Sequence, residues 1–439
     1  MQLLIYCPKV TPRIKYTFNF IFREILGCDF EFTGIAHDFL ASTQPKISYA
    51  DAPLADELFF ASAPLLNQHA ITPIDIELTA FGDRQVPFAV ANSTLPFDVF
   101  AASFYFLSRY EEYLPFEADE HGRFRAELSL QYQLGLLAVP VIDNWALLLK
   151  NILLKKFPSL IFVKRKFSFV PTIDVDRAYH FRSSGLLKNT IRFLKAAQQL
   201  KTDKMLSIIK TGLGHNDPFD TYDYLKQIHS EYGLSPVFFF LLAKSNNNSF
   251  DSNLDPNEEV FKSLILETAQ YASIGLHPSY ASNTETHKIS EELQNLEQIS
   301  RQRIDSSRQH FIKVHLPQTY LQLIKAGINH DYSMGYPSQV GFRAGTCTSF
   351  FWYDLQLEKQ THLKIHPFAL MDVTLQQYLK LRPQQAMAQI DELIANIRLV
   401  DGTFSSLWHN ESLSDTRPWK GWKAVYEHLL EQASQHERI

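Results

Sequence analysis

The stretch Pro171-Thr172-Ile173-Asp174-Val175-Asp176 ends an apolar, β-rich run that begins at residue 167. Side chains alternate along a strand, so Asp174 and Asp176 point to the same side. Two carboxylates that close together repel unless a cation or an arginine intervenes. The plainer alternative is a solvated turn in which Asp176 caps the following segment. Outward from this stretch the rhythm repeats. Strand-like runs recur at 237–242, 274–276, 307–314, 363–371 and 404–408. Helical runs lie between and around them, at 185–200, 221–232, 258–271, 285–304, 316–326, 374–397 and 419–432. Such β-α alternation predicts a mainly parallel sheet with helices outside it. With this many units the sheet is expected to close into a barrel whose site lies at the carboxyl ends of the strands.

Polar residues at those strand ends are therefore the candidates for chemistry. His277 is followed by Pro278, which lacks an N–H and stops the pairing. Arg308 and His310 share a face if residues 307–314 are a strand. His409 leaves the last strand beside Trp408, and Asp372 ends the run at 363–371, where it can orient His409. One carboxylate and two histidines can hold a divalent ion. A second carboxylate can take a proton from water, and a further histidine can protonate a leaving group. Which of Asp174 and Asp176, and which of His277, His310 and His409, takes each part stays open at this point, with Arg308 and Asp372 beside them. Trp408, Arg343 and Tyr280 are candidate substrate contacts, Trp408 with core packing as an equal alternative.

The first part of the chain has a different texture. Residues 1–8 read as an opening strand, and residues 16–26, 97–113 and 141–157 as helices. In the last of these Trp145, Leu148, Leu149 and Ile152 repeat at helical spacing. A basic stretch from Lys155 to Lys166 surrounds Pro158. The boundary is placed there, giving an α/β unit at 1–160 and a β/α unit at 161–439.

The 439 residues carry 42 Lys+Arg against 47 Asp+Glu, a net charge of −5, and 45% are hydrophobic. That balance is globular, and it argues against electrostatic nucleic-acid binding. The three cysteines, Cys7, Cys28 and Cys347, form no C-x-x-C pair, so neither a disulfide framework nor a cysteine zinc site is expected. The longest apolar run, 237–243, is far below the ~20 residues of a transmembrane helix. A cytoplasmic location is the default expectation. No G-x-x-x-x-G-K-[ST] loop and no G-x-S-x-G elbow occurs, which removes the main support for nucleotide hydrolysis and serine esterase chemistry.

The order Thr172-Ile173-Asp174-Val175-Asp176, then Ile274-Gly275-Leu276-His277, then Arg308, then Leu407-Trp408-His409 resembles the polysaccharide deacetylases. These are the NodB-homology group, carbohydrate esterase family four. The resemblance covers about residues 167–411. It implies a distorted (β/α)7 barrel preceded by a smaller α/β domain, one divalent ion of the zinc kind, and removal of acetyl groups from an N- or O-acetylated sugar or glycan. The family's second metal histidine falls four residues after the first, where this chain has Ala281. His310 is the candidate to replace it, so the resemblance implies a metal held by Asp176, His277 and His310, with Asp174, His409, Arg308 and Asp372 serving catalysis. The stretch Asn329-His330-Asp331-Tyr332-Ser333 resembles the Y-D-S-S segment of one branch, which favours Arg308 over Arg343 for the family's third motif. Two other readings stay open: a non-sugar amide or imide hydrolase on the same barrel, and a carbohydrate-binding protein that has lost catalysis, which Ala281 favours. The oligomeric state is not legible.

Overall fold

The deciding stretch forms β7 (Ser168–Val175) in the computed structural model, which describes residues 2–181, 217–243 and 250–435. The helix expected at 185–200 lies outside the described residues. Around β7 stand β8 (Val237–Leu241), β9 (Ser273–His277), β10 (Ser306–Ser307), β11 (His330–Asp331), β12 (Phe350–Asp354), β13 (Lys359–Ile365), β14 (Leu370–Met371) and β15 (Thr403–His409). Together they make one nine-stranded sheet in the order β12-β13-β11-β10-β9-β8-β7-β15-β14. Every pairing is parallel except β12 with β13. β8 is buried along its whole length, as its unbroken apolar sequence requires of a central parallel strand. Gly275 of β9 is what lets β8 and β10 approach there. A Cβ at that position would stand 2.6 Å from the Phe239 ring and 2.8 Å from the Ser306 carbonyl oxygen.

The described residues do not show the closed barrel expected above. Among the described residues no ladder joins β14 to β12, so the sheet is open. The cause lies in the run at 363–371, expected as one strand. Pro367 interrupts it, and the two pieces become β13 and β14, second and last in the strand order. Only residues 366–369 join them, and a chain advances ~3.4 Å per residue, so the sheet must curl to bring its two sides within that reach. The run at 307–314 differs as well. It pairs only at Ser306–Ser307, then turns through a 3-10 segment at His310–Ile312, with Phe311 at φ 60° and Ile312 at φ 53°. Helices lie at Tyr222–Glu231, Glu259–Ala269, His287–Ser300, Gln318–Ala326, Pro383–Arg398 and Trp422–Ser434. Pro383 starts its own helix at the first turn, so the long helix expected at 374–397 splits. Among the described residues no helix is long and apolar enough to cross a membrane.

The first part of the chain carries a smaller parallel sheet in the order β2-β1-β3-β4, from β1 (Leu3–Tyr6), β2 (Phe30–Thr33), β3 (Lys46–Ala50) and β4 (Leu58–Ala61). The helices Pro12–Phe18 and Val99–Leu107 meet where Phe18 stacks on Phe100 with centroids 4.0 Å apart. Each has a side-chain cap: Thr11 accepts from the Ile14 N–H, and Asp98 from the Phe100 and Ala101 N–H groups. Buried ion pairs tie this sheet to the larger one. Arg343 donates to Glu112 at 2.8 and 2.5 Å, and Arg109 reaches the same carboxylate at 2.8 Å. Burial would raise the Glu112 carboxyl, but Arg343 and then Arg109 hold it below its ordinary range. Arg13, wholly buried, pairs with Glu358.

Candidate active site

At the carboxyl ends of β7, β9 and β15 the register sets Asp174 opposite His409, and His277 opposite Leu241 at the end of β8. Asp174 is 1% exposed. Its Oδ1 accepts from Arg308 Nη1 at 2.9 Å, and the same nitrogen donates to Thr172 Oγ1 at 2.6 Å. Arg308 is fixed further by Nε donating to the Tyr332 carbonyl at 2.9 Å and by the face of Phe239, 4.6 Å away. Nη1 thus holds one oxygen of Asp174 while Nη2 is enclosed without a hydrogen-bond partner, and Asp174 Oδ2 faces the site, 3.7 Å from His277 Nε2.

Asp176, just past the strand, is ringed by three histidines. Its Oδ1 lies 3.1 Å from His277 Nε2, and its Oδ2 lies 3.4 Å from His310 Nε2 and 3.6 Å from His409 Nε2. Burial would raise this carboxyl. The charge of His310, and then that of His409, hold it well below the usual carboxylate range. Asp176, His277 and His310 each offer a ligand atom, all within 4.8 Å of one another.

The donor set fits a divalent ion on the structure's own terms. His277 Nδ1 is bonded to the Arg308 carbonyl oxygen, which can only accept, so Nδ1 carries the hydrogen. A neutral ring then turns its Nε2 lone pair on the Asp176 carboxylate. That contact repels unless a cation lies between them or the ring gains a proton. Asp176 Oδ1 is enclosed and makes no hydrogen bond of acceptable geometry. His310 shows the usual support of a metal-binding histidine, with Nδ1 3.2 Å from Asp251 Oδ1. Burial opposes charge on the His310 ring, but Asp176 and Asp251 outweigh it and raise the group to about 9.

His409 is held by Asp372. Oδ1 meets His409 Nδ1 at 2.8 Å, and Oδ2 accepts from the His409 backbone N–H at 2.8 Å and from Ser412 Oγ. Burial again opposes protonation of the ring, yet Asp372, Asp176 and Asp174 raise it to about 10. Its Nε2 faces the site, so a charged His409 has a proton to give.

The structure therefore brings together Asp174, Asp176, His277, Arg308, His310, Asp372 and His409. It does not bring Trp408 or Arg343 to them. Trp408 is wholly buried against Tyr426 and near Trp422, so no face is left for a sugar. Arg343 is buried between Glu112 and the Tyr336 ring and serves the junction of the two sheets. Tyr280 does stand at the rim, half-buried, with Phe250 stacked on it at 4.5 Å and Lys313 Nζ 4.0 Å from its centroid. Asp251 was missed in the sequence. It also accepts from the N–H groups of Tyr280 and Ala281, so the position where a ligand histidine was sought serves through its backbone. No spacing signal marks an aspartate 59 residues from its histidine partner.

Residues 3–158 match a protein family described only as a family of unknown function, DUF7033. No curated protein matches the chain in sequence. Among solved structures the chain is similar to a Mycobacterium smegmatis protein assigned as a polysaccharide deacetylase. The identity is 14% over 62% of this chain and 85% of that one, with a TM-score of 0.41. A Pseudomonas aeruginosa PAO1 protein assigned likewise is 13% identical over 62% and 86% of the two chains, with a TM-score of 0.37. The 4-alpha-glucanotransferase of Thermococcus litoralis is 10% identical over 63% and 38%, with a TM-score of 0.36. Likenesses of this strength fix neither a reaction nor a substrate.

Proposed function

We propose that the chain is a metal-dependent hydrolase that removes acetyl groups from an acetylated sugar or glycan. The observation that carries this reading is one cluster in which three ligand atoms, a carboxylate clamped by arginine, and a histidine backed by a carboxylate converge at the strand ends. Asp176, His277 and His310 would hold one divalent ion, of which zinc suits the two imidazoles and one carboxylate. Such an ion, when bound, polarises a carbonyl oxygen and makes water more acidic.

The chain's own groups divide the proton work. Arg308 fixes Asp174 through Oδ1, which leaves Oδ2 to accept a proton from the attacking water. The water oxygen adds to the acetyl carbon. The bond from that carbon to the sugar's nitrogen or oxygen then breaks, and His409 gives its Nε2 proton to the departing atom. Asp372 keeps the ring oriented and charged until then. The acetylated-sugar substrate rests on the resemblance of the strand-end motifs.

Acetate release from a panel of N-acetylated sugars and glycans, with zinc supplied, tests the proposal. Wild type should release acetate. Asp174→Asn and His409→Ala should each lower the rate by about 10²–10⁴-fold. No release by wild type, or release that both variants match, overturns it.

A further inference from the structure

His310 is the one ligand of the proposed set that does not sit on or beside a long strand. It opens a turn in which Phe311 and Ile312 both hold positive φ, 60° and 53°. Side chains with a Cβ rarely take that conformation, and β-branched Ile312 least readily. Such a turn persists only where its surroundings hold it. The holding groups come from the first part of the chain. Arg123 Nη1 donates to the Phe311 carbonyl oxygen at 2.7 Å, across 188 residues of sequence. Asp119 fixes that guanidinium, accepting from Nε at 2.7 Å and from the Arg123 backbone N–H at 2.8 Å. Arg123 Nη2 reaches Tyr378 Oη at 3.2 Å. Two residues earlier, the His121 ring lies 4.9 Å from the Phe311 ring, and its Nδ1 is 3.3 Å from Tyr280 Oη.

We infer that residues 119–123 form a clamp that positions His310 by gripping Phe311 at its backbone and its ring. The segment that matches a family of unknown function would then be a working part of the site. The inference rests on the proposed metal site, in that it gives His310 a reason to be held still. Arg123 and His121 are positioning residues, since neither reaches Asp176 or another ligand atom.

The test uses the full chain, stripped of metal and titrated with zinc alone. Asp119→Asn combined with Arg123→Met removes the clamp without stranding a charge. Zinc affinity should fall about tenfold or more, the usual cost of losing a group that orients a ligand. Amide exchange at Ile312 and Lys313, read without metal, should quicken while the rest of the molecule is unchanged. Arg123→Lys, which keeps a donor, should recover part of both effects. A folded double variant with wild-type affinity and wild-type exchange at the turn overturns the inference. If wild type itself binds no zinc, the metal reading falls. The clamp is then judged by exchange alone: quickened exchange at the turn keeps it and unchanged exchange ends it.

Discussion

The two halves of the site are built in different ways. Asp174, His277 and His409 stand at the ends of β7, β9 and β15, where Asp174 is paired with both neighbouring strands, His277 with β8 and His409 with β7. His310 stands on a short turn with unfavourable backbone angles, and long-range side chains hold it: Asp251 on the ring, and Arg123 and His121 on the next residue. The strand-borne half is rigid because the sheet is. The turn-borne half is rigid only as long as its props stand. A ligand set drawn from both can therefore be weakened from far away on one side and only from nearby on the other.

The largest effect should come from the strand side, where Asp176 directly follows β7. Asp176→Asn should abolish stoichiometric zinc in metal analysis of dialysed protein, whereas Asp174→Asn should retain it. Equal metal content in the two would erase the distinction between a ligand and a base two residues apart. A smaller effect concerns the platform under β15. His229 is buried with Nε2 2.5 Å from Tyr426 Oη, and Tyr426 in turn packs on Trp408. Burial pushes His229 down to about 4, below its ordinary 6.5. The unfolded chain therefore binds this proton first. Its contribution to stability is complete above pH 6.5 and is lost as pH falls toward 4, on the order of 3 kcal/mol across that window. Denaturant melts at pH 7 and pH 4.5 should show the loss, and His229→Gln should reduce it, the rest staying with His366, which burial pushes down to about 3; an equal slope in the variant would assign the acid sensitivity elsewhere. The smallest effect should come from a prop. Asp251→Asn should weaken zinc affinity about tenfold to a hundredfold and leave the fold intact. Wild-type affinity in that variant would mean that the turn-borne half stands without it.

What could be read in the sequence follows the same division. Asp174, His277 and His409 were legible because strand alternation and strand ends are local patterns. Asp372 was legible as the end of an apolar run. His310 was reached for a reason the structure does not share, since residues 307–314 are a short strand and a turn rather than one strand. Apolar content alone cannot separate the two, and the bonds that bend the chain come from residues 123 and 251. The open sheet was hidden for a similar cause. Pro367 divides a run that reads as continuous, and only the register shows that its pieces belong to opposite sides. Trp408 illustrates the ambiguity of an aromatic at a strand end, where a helix packed outside claimed the ring. Arg343 was drawn away by a glutamate 231 residues earlier.

That long reach between charges has a consequence for biosynthesis. Glu112 and Arg13 leave the ribosome early, but their partners Arg343 and Glu358 follow 231 and 345 residues later. At synthesis rates of about 5–20 residues per second, Glu112 waits some ~10–50 s for Arg343. Through that interval Glu112 has Arg109 alone for a partner, and Arg13 is a charge shaped for burial whose carboxylate has not yet been made. Removing one partner of a buried ion pair costs about 3–5 kcal/mol. The early sheet should therefore stay loose on the ribosome and set only when the later strands arrive, so that the clamp on Phe311 closes together with the site it serves.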